Sequence, residues 1–279
     1  MRFISNSETT TWLTCQRKYY FEYILDLEPK KFSDAINNGI LYHACLENYY
    51  ASKSLGHSEV ECRQIGLEPV LIAMQREDND IVSMGKVHAL LNAYWDHYMI
   101  DDERYEVYAV ETKLKAELSE DFALVGTVDL IWKDTETDKY YMVDHKSSYN
   151  FWSDEQSEIA AQFVKYVVLG REAGLDVAGV IVNQLRTRDL KPGNELFRRT
   201  YVRPTEAKVR DVTRQHINAS ANIVEARENL SPEEFIPVFN KFICANCPFL
   251  SLCDTMSNGS NIDYAIQQDF KKRTGYGYN

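Results

Sequence analysis

No stretch of the 279 residues approaches the ~20 consecutive apolar positions that a membrane-spanning helix needs. The amino terminus, MRFISNSETTTWLTCQRKYY, has no apolar run of signal-peptide length. These two absences lead to the expectation of a soluble, cytoplasmic protein. No internal repeat and no low-complexity linker interrupts the chain. Positive charge is also scarce: the formal net charge is -11, which argues against wholesale coating of nucleic acid, because phosphate binding depends on Lys and Arg. Cysteine is sparse, with six residues, and its spacing matters below. What is abundant is apolar and aromatic surface, 44% and 12% of the residues, enough for a sizeable core in one large or two small domains.

The local charge distribution departs from the total. Between Arg186 and Arg214 stand nine Lys or Arg against four acids, so one segment is basic inside an acidic protein. It is either a solvated strand and helix face or a phosphate-tracking surface, with Arg198 and Arg199 as candidate contacts.

Periodicity divides the chain. From Ser5 to about Tyr98 apolar residues recur at three and four spacing, as in TWLTCQRKYYFEYIL and NGILYHACLENYYASKSLG, and predict helices; Cys62 to Met99 is helical without a motif of chemical meaning. After Asp102 the period becomes two. YEVYAVETKLKAEL, FALVGTVDLIW and KYYMVDHKS predict three strands in an antiparallel meander, with KDTETDK as a turn. A helix follows, opened by the capping pattern Ser153 to Gln156 and stopped near Gly174. VAGVIVNQLRT and ELFRRTYV predict two more strands around the turn KPGN, and a last long helix runs from Pro204 and Thr205 to about Asn229. The layout is α/β with a mixed sheet.

The chemistry concentrates in VDHKS. Asp144 and Lys146, two residues apart on a strand, point to one face of the sheet, where they form either a salt bridge at a strand end or part of a site. Asp129, buried by its apolar neighbours in GTVDLIW, is costly unless paired or holding a metal. On adjacent antiparallel strands Asp129 and Asp144 converge on one point. Two carboxylates beside a lysine suit phosphodiester hydrolysis: hard oxygens hold Mg²⁺ or Mn²⁺, and the ammonium orients a nucleophile or offsets developing charge. Glu111, in the first strand, is an exposed strand position or a further acid of the site.

The order GTVD, turn, VDHKS, then a helix with QFVKY resembles the PD-(D/E)XK nuclease superfamily, in particular its RecB-like branch. The resemblance implies a restriction-endonuclease-like mixed β-sheet core flanked by helices. It implies that Asp129 and Asp144 bind the metal, that Lys146 is catalytic, and that Gln162 and Tyr166, one helical turn apart, contact substrate or support the site. The backbone carbonyl of His145 is a further ligand on this pattern. The branch also carries a Gly-x-x-x-His helix with a following Glu. Here GILYHACLE supplies Gly39, His43 and Glu47, and the resemblance makes His43 a metal ligand, which renders Mn²⁺ plausible beside Mg²⁺.

Cys244, Cys247 and Cys253 form C-x2-C-x5-C, a spacing that in a cytosolic chain means metal or cluster before disulfide. Cys15 lies in a Cys-x-Arg-Lys-Tyr helix similar to the one that provides the fourth ligand in the AddB subunit and in cysteine-containing CRISPR-associated nucleases. The resemblance implies a 4Fe-4S cluster on Cys15, Cys244, Cys247 and Cys253, with zinc as the alternative. Cys45 and Cys62 are expected to be buried small residues. The expected organisation is an N-terminal helical region, 1–105, bringing Cys15 and His43, a nuclease core, 106–235, and a C-terminal iron-sulfur segment, 236–279. The implied function is a metal-dependent DNA exonuclease, a phosphodiester hydrolase acting on single-stranded or end-resected DNA in recombination, repair or phage DNA metabolism. The chain is too short for the helicase portion of its larger relatives, so a stand-alone nuclease is expected, with recombination or CRISPR-type protein partners. Alternatives are a nuclease of CRISPR spacer acquisition and a non-catalytic DNA-binding module of the same fold; the retained Lys146 speaks against the latter.

Overall fold

The computed structural model describes residues 1–76, 80–188, 193 and 195–273. In chain order the elements are β1 (Arg2–Ser5), α1 (Asn6–Thr14), α2 (Gln16–Tyr19), β2 (Leu27–Pro29), α3 (Asp34–Ser54), α4 (Glu59–Met74), α5 (Ile81–Tyr98), β3 (Tyr105–Glu117), β4 (Phe122–Asp134) and β5 (Tyr140–Ser148). There follow α6 (Asp154–Ile159), α7 (Ala161–Glu172), β6 (Val177–Arg186), β7 (Phe197–Val202), α8 (Glu206–Asn229), α9 (Lys241–Cys244), α10 (Leu250–Ser257), α11 (Asp263–Asp269) and β8 (Phe270–Lys272). The chain divides into two compact units, one comprising Met1–Phe32, Glu117–Val125 and Asp211–Asn279, the other Ser33–Ala116 and Gly126–Arg210. No described helix is long and apolar enough to cross a membrane.

The second unit holds a mixed sheet. β3 pairs with β4, β4 runs antiparallel to β5, β5 parallel to β6, and β6 antiparallel to β7. Alternation along β5 sorts its side chains between two helical layers. Tyr141 and Val143 join Leu130, Trp132 and Ile181 in a core with Tyr50, Leu91, Tyr94 and Trp95 of α3 and α5. Met142 and Asp144 instead face α7. Leu130, Val143 and Ile181 are fully buried or nearly so, each worth about 1.5–3 kcal/mol of apolar transfer. Gly170 lets α7 lie close on the sheet, since a Cβ there would stand 1.9 Å from Met142 Cε and 2.7 Å from Val177 Cγ2. This is the expected α/β fold, a mixed sheet flanked by helices.

Two local departures have physical reasons. The helix expected from Ser153 to Gly174 opens on the expected capping box, yet Ala160 is extended (φ -69, ψ 112) and splits it into α6 and α7. Strands β1, β2 and β8 have three or four residues each, too short to show a period.

In the first unit, β1 pairs parallel with Phe122–Val125 of β4, and β2 pairs antiparallel with β8. Its core gathers Trp12, Tyr19, Phe21, Ile223, Phe235, Phe249 and Phe270. Arg17 Nε donates to Phe235 O at 2.6 Å, and Arg227 Nε donates to Tyr19 Oη at 2.7 Å, tying residues more than two hundred apart in sequence.

Candidate active site

The site lies in the second unit, where β4 and β5 bring their acids together. Asp129 directly precedes Leu130 and Asp144 directly follows Val143, its antiparallel partner, so the two acids adjoin the same paired position. Asp129 Oδ2 accepts from the backbone N–H of His145 at 2.8 Å and stands 3.4 Å from His43 Nδ1. Asp144, 1% exposed, is held through one oxygen: Gln162 Nε2 donates to Oδ1 at 2.8 Å and Tyr166 Oη donates to it at 3.2 Å. Gln162 Nε2 also donates to Tyr166 Oη at 2.9 Å, so the two α7 side chains act on Asp144 as a unit. The other oxygen, Oδ2, is buried and forms an ion pair with the Lys146 ammonium at 2.6 Å.

Glu111 was open between an exposed strand position and a further acid, and the structure puts it in the cluster. It is half-buried, and its ligand atom lies within 4.8 Å of those of His43 and Asp129. Its backbone explains why alternation mispredicts its surroundings: φ is +44°, a conformation that costs a non-glycine residue about 1–3 kcal/mol. Glu47 is exposed and outside the three-residue cluster, although its charge reaches Glu111. His145 contributes backbone only. Its imidazole is 3% exposed, stacks on Tyr50 with ring centroids 5.7 Å apart and pairs with Asn183 Nδ2 through Nδ1 at 2.8 Å. Gly39 sits one turn before His43, where a Cβ would stand 3.3 Å from Ser147 Oγ. Gly126 has an analogous role, facing Leu169 Cδ1 at 3.0 Å from a hypothetical Cβ.

The electrostatics are those of crowded anions. Burial, then the charges of Asp129 and Glu47, push the Glu111 carboxyl up to about 7. Asp129 is raised by burial and by Asp144, against the pull of His43. Burial holds the His145 imidazole well below its ordinary value, so it is neutral. The carboxylates of Glu111 and Asp129 and the imidazole of His43 converge as a donor set that fits a hard divalent cation, with Asp144 beside them and its Oδ2 against Lys146.

The basic run does not form one surface. Arg199 is buried: Nη1 pairs with Asp102 Oδ1 at 2.6 Å, Nη2 donates to Tyr94 Oη at 3.2 Å, and Nε donates to Asn183 Oδ1 at 3.2 Å. It also lies 3.6 Å from the Tyr98 ring centroid. Arg199 thus fits neither reading of the run, solvated face or phosphate contact, and its partner Asp102, 97 residues away, is why the sequence hides this. Lys208 donates to Glu158 O, and Arg198 pairs with Glu195 at 2.9 Å. Lys191 and Asp189, with most of the KPGN turn, lie outside the described residues.

The four cysteines of the expected cluster belong to the first unit, and His43 to the second. Cys15 caps α2, its Sγ accepting from Lys18 N at 3.4 Å, and Cys247 N donates to Cys244 O at 3.0 Å. Cys247 and Cys253 each feel the charge of the other three thiols, with Lys18 near Cys247 and Arg17 near Cys253; burial raises both thiols. Cys45 and Cys62 are buried, as expected of packing residues.

The sequence over residues 4–254 matches the family model of the PD-(D/E)XK nuclease superfamily. The chain belongs to that superfamily. Its members are nucleases that use divalent metals, in keeping with the acidic cluster above. No curated protein matches. Solved structures similar at low identity include two with informative coverage. One is SSO0001, 14% identical with a TM-score of 0.39, covering 91% of this chain and 86% of that one. The other is LHK-Exo in complex with dAMP, 14% identical with a TM-score of 0.32, covering 68% and 96%.

Proposed function

We propose that this superfamily member is a divalent-metal-dependent deoxyribonuclease of the RecB-like kind that degrades DNA from single-stranded or resected ends. The observation that carries the reading is the meeting of His43, Glu111 and Asp129 beside an Asp144 whose Oδ2 faces Lys146. His43, Glu111, Asp129 and Asp144 would hold Mg²⁺ or Mn²⁺, which supplies Lewis-acid polarisation of the phosphoryl group and an activated water. The chain's own residues set the geometry. Gln162 and Tyr166 fix Asp144 through Oδ1, which keeps Oδ2 directed at the centre. The ammonium of Lys146, with three donors and one engaged by Asp144, has two left for a phosphate oxygen.

The four cysteines support an iron-sulfur cluster with a structural role. Arg17 Nη1 is buried without a hydrogen-bond partner near Cys253, so positive charge is available to offset a tetrathiolate anion. The functional test is incubation of end-labelled single-stranded DNA with Mn²⁺ or Mg²⁺ and an EDTA control. Cleavage that EDTA abolishes and Asp129→Asn removes supports the reading; a wild-type protein inert with both metals on single-stranded and duplex DNA ends it.

A further inference from the structure

Immediately past Lys146 the chain leaves β5 as Ser148, Tyr149, Asn150, Phe151 and Trp152. This loop is anchored at both ends: Thr187 N donates to Ser148 O at 2.9 Å, and Trp152 N donates to Gln184 Oε1 at 2.7 Å. Between the anchors stand two aromatic rings with arginines over them. Arg186 lies 3.9 Å and Arg198 4.8 Å from the Phe151 centroid, and Arg188 lies 5.7 Å from that of Tyr149. All of these residues belong to the second unit.

Three facts set this group apart from an ordinary solvated surface. Tyr149 is 67% exposed, so its ring stabilises little by its own burial. Among the described residues no carboxylate pairs with Arg186 or Arg188, in a protein with a net charge of -11. Arg186 Nε and Arg188 Nε are buried yet have no hydrogen-bond partner among the described residues. Half-buried arginines whose charge no described carboxylate neutralises suit phosphate oxygens, and an open aromatic face beside them suits a nucleobase. Position agrees with that chemistry: Tyr149 is three residues beyond Lys146, about 10 Å of extended chain.

We propose that Tyr149, Phe151, Arg186 and Arg188 form a platform for the single-stranded segment of the substrate, with a base stacked on Tyr149 and its phosphates on the two arginines. This rests on the nuclease reading and adds to it the origin of a preference for unpaired DNA. A base inside a duplex is already stacked on both sides and cannot offer its face to Tyr149. The platform therefore selects single strands without reading sequence.

The test is fluorescence anisotropy with labelled oligo(dT) and with a blunt duplex of equal length, in EDTA so that no cleavage occurs. The wild type binds oligo(dT) more tightly than duplex. Tyr149→Ala weakens oligo(dT) binding by roughly tenfold, while Tyr149→Phe keeps it. Arg188→Ala reduces the salt dependence of oligo(dT) binding by about one phosphate contact. Thermal melts control for folding, which an exposed ring does not decide. The proposal is overturned if Tyr149→Ala binds oligo(dT) like wild type, if it loses oligo(dT) and duplex equally, or if the wild type binds neither. Cleavage assays on the same wild-type preparation separate the two readings. Stacking dependent on Tyr149 in a protein that cleaves nothing would leave the platform standing and remove the nuclease; cleavage with no effect of Tyr149→Ala on binding would do the reverse.

Discussion

Replacing Arg199 by Met should expose how much the buried network behind the site stabilises the fold. Arg199 is the only described cation within ion-pair distance of Asp102, whose side chain is 5% exposed. Asp102 Oδ2 accepts from Tyr50 Oη at 3.0 Å, and Tyr50 in turn meets Tyr94 Oη at 2.8 Å. In Arg199→Met the carboxylate stays buried with one neutral donor. Breaking one side of such a pair costs about 3–5 kcal/mol, because the remaining charge has lost its partner in a poorly polarisable medium. For a unit of this size that corresponds to a fall in Tm of roughly 6–20 °C. The double variant Asp102→Asn/Arg199→Met removes the stranded charge and should recover most of the loss, to within about 2 kcal/mol of wild type. Urea unfolding followed by tryptophan fluorescence reads the effect, since Trp132 lies 4.9 Å from the guanidinium carbon. The reasoning fails if Arg199→Met costs less than about 1 kcal/mol, the figure for an exposed pair, or if the double variant is as unstable as the two single losses added.

Three further outcomes are expected. Gly170→Val should destabilise the second unit by about 1–3 kcal/mol, because the new side chain collides with Val177 as well as with the movable end of Met142; a melt unchanged from wild type would contradict the close packing of α7. Cys15→Ser should lose iron and sulfide and the ~400 nm absorbance expected of thiolate-ligated iron, while Cys45→Ser keeps them; full metal content in Cys15→Ser would put the fourth ligand elsewhere. The hydrogen-bonded Arg104 guanidinium, with contacts of 3.0 and 2.6 Å, holds the Asp134 carboxyl down to about 2 from an ordinary 3.8. A depressed carboxylate contributes stability that is present above pH 4 and fades between about pH 4 and 2. The stability gap between wild type and Asp134→Asn should close over that window, and a gap constant down to pH 2 would refute the pairing.

The sequence discloses the parts of the site that local patterns encode. The apolar run Tyr140 to Val143 announces a strand, so Asp144 and Lys146 at its end share a face, and the four-residue spacing of Gln162 and Tyr166 puts both on one side of α7. Both hydrogen-bond Asp144. Glu111 escapes the same logic. Alternation assumes regular backbone, and the positive φ at Glu111 breaks it. Arg199 escapes because nothing local marks a charge that is neutralised by Asp102, across the 97 residues between them. The aromatic and arginine group after β5 is also invisible in order of sequence, since the parallel pairing of β5 with β6 brings Ser148 beside Arg186. A signal did exist: three exposed or half-exposed aromatics in YNFW directly after a D-x-K strand, with Arg-x-Arg at the end of a strand that could pair with it.

The central claim is that Lys146 acts on a phosphodiester at a metal held by His43, Glu111, Asp129 and Asp144, and single-turnover cleavage of end-labelled DNA in Mn²⁺ by Lys146→Ala tests it most directly. The account predicts that Lys146→Ala still folds and binds the DNA but cleaves slower by about 10²–10³-fold, the loss expected on removing one group that stabilises developing charge. Cleavage by Lys146→Ala at the wild-type rate would contradict it.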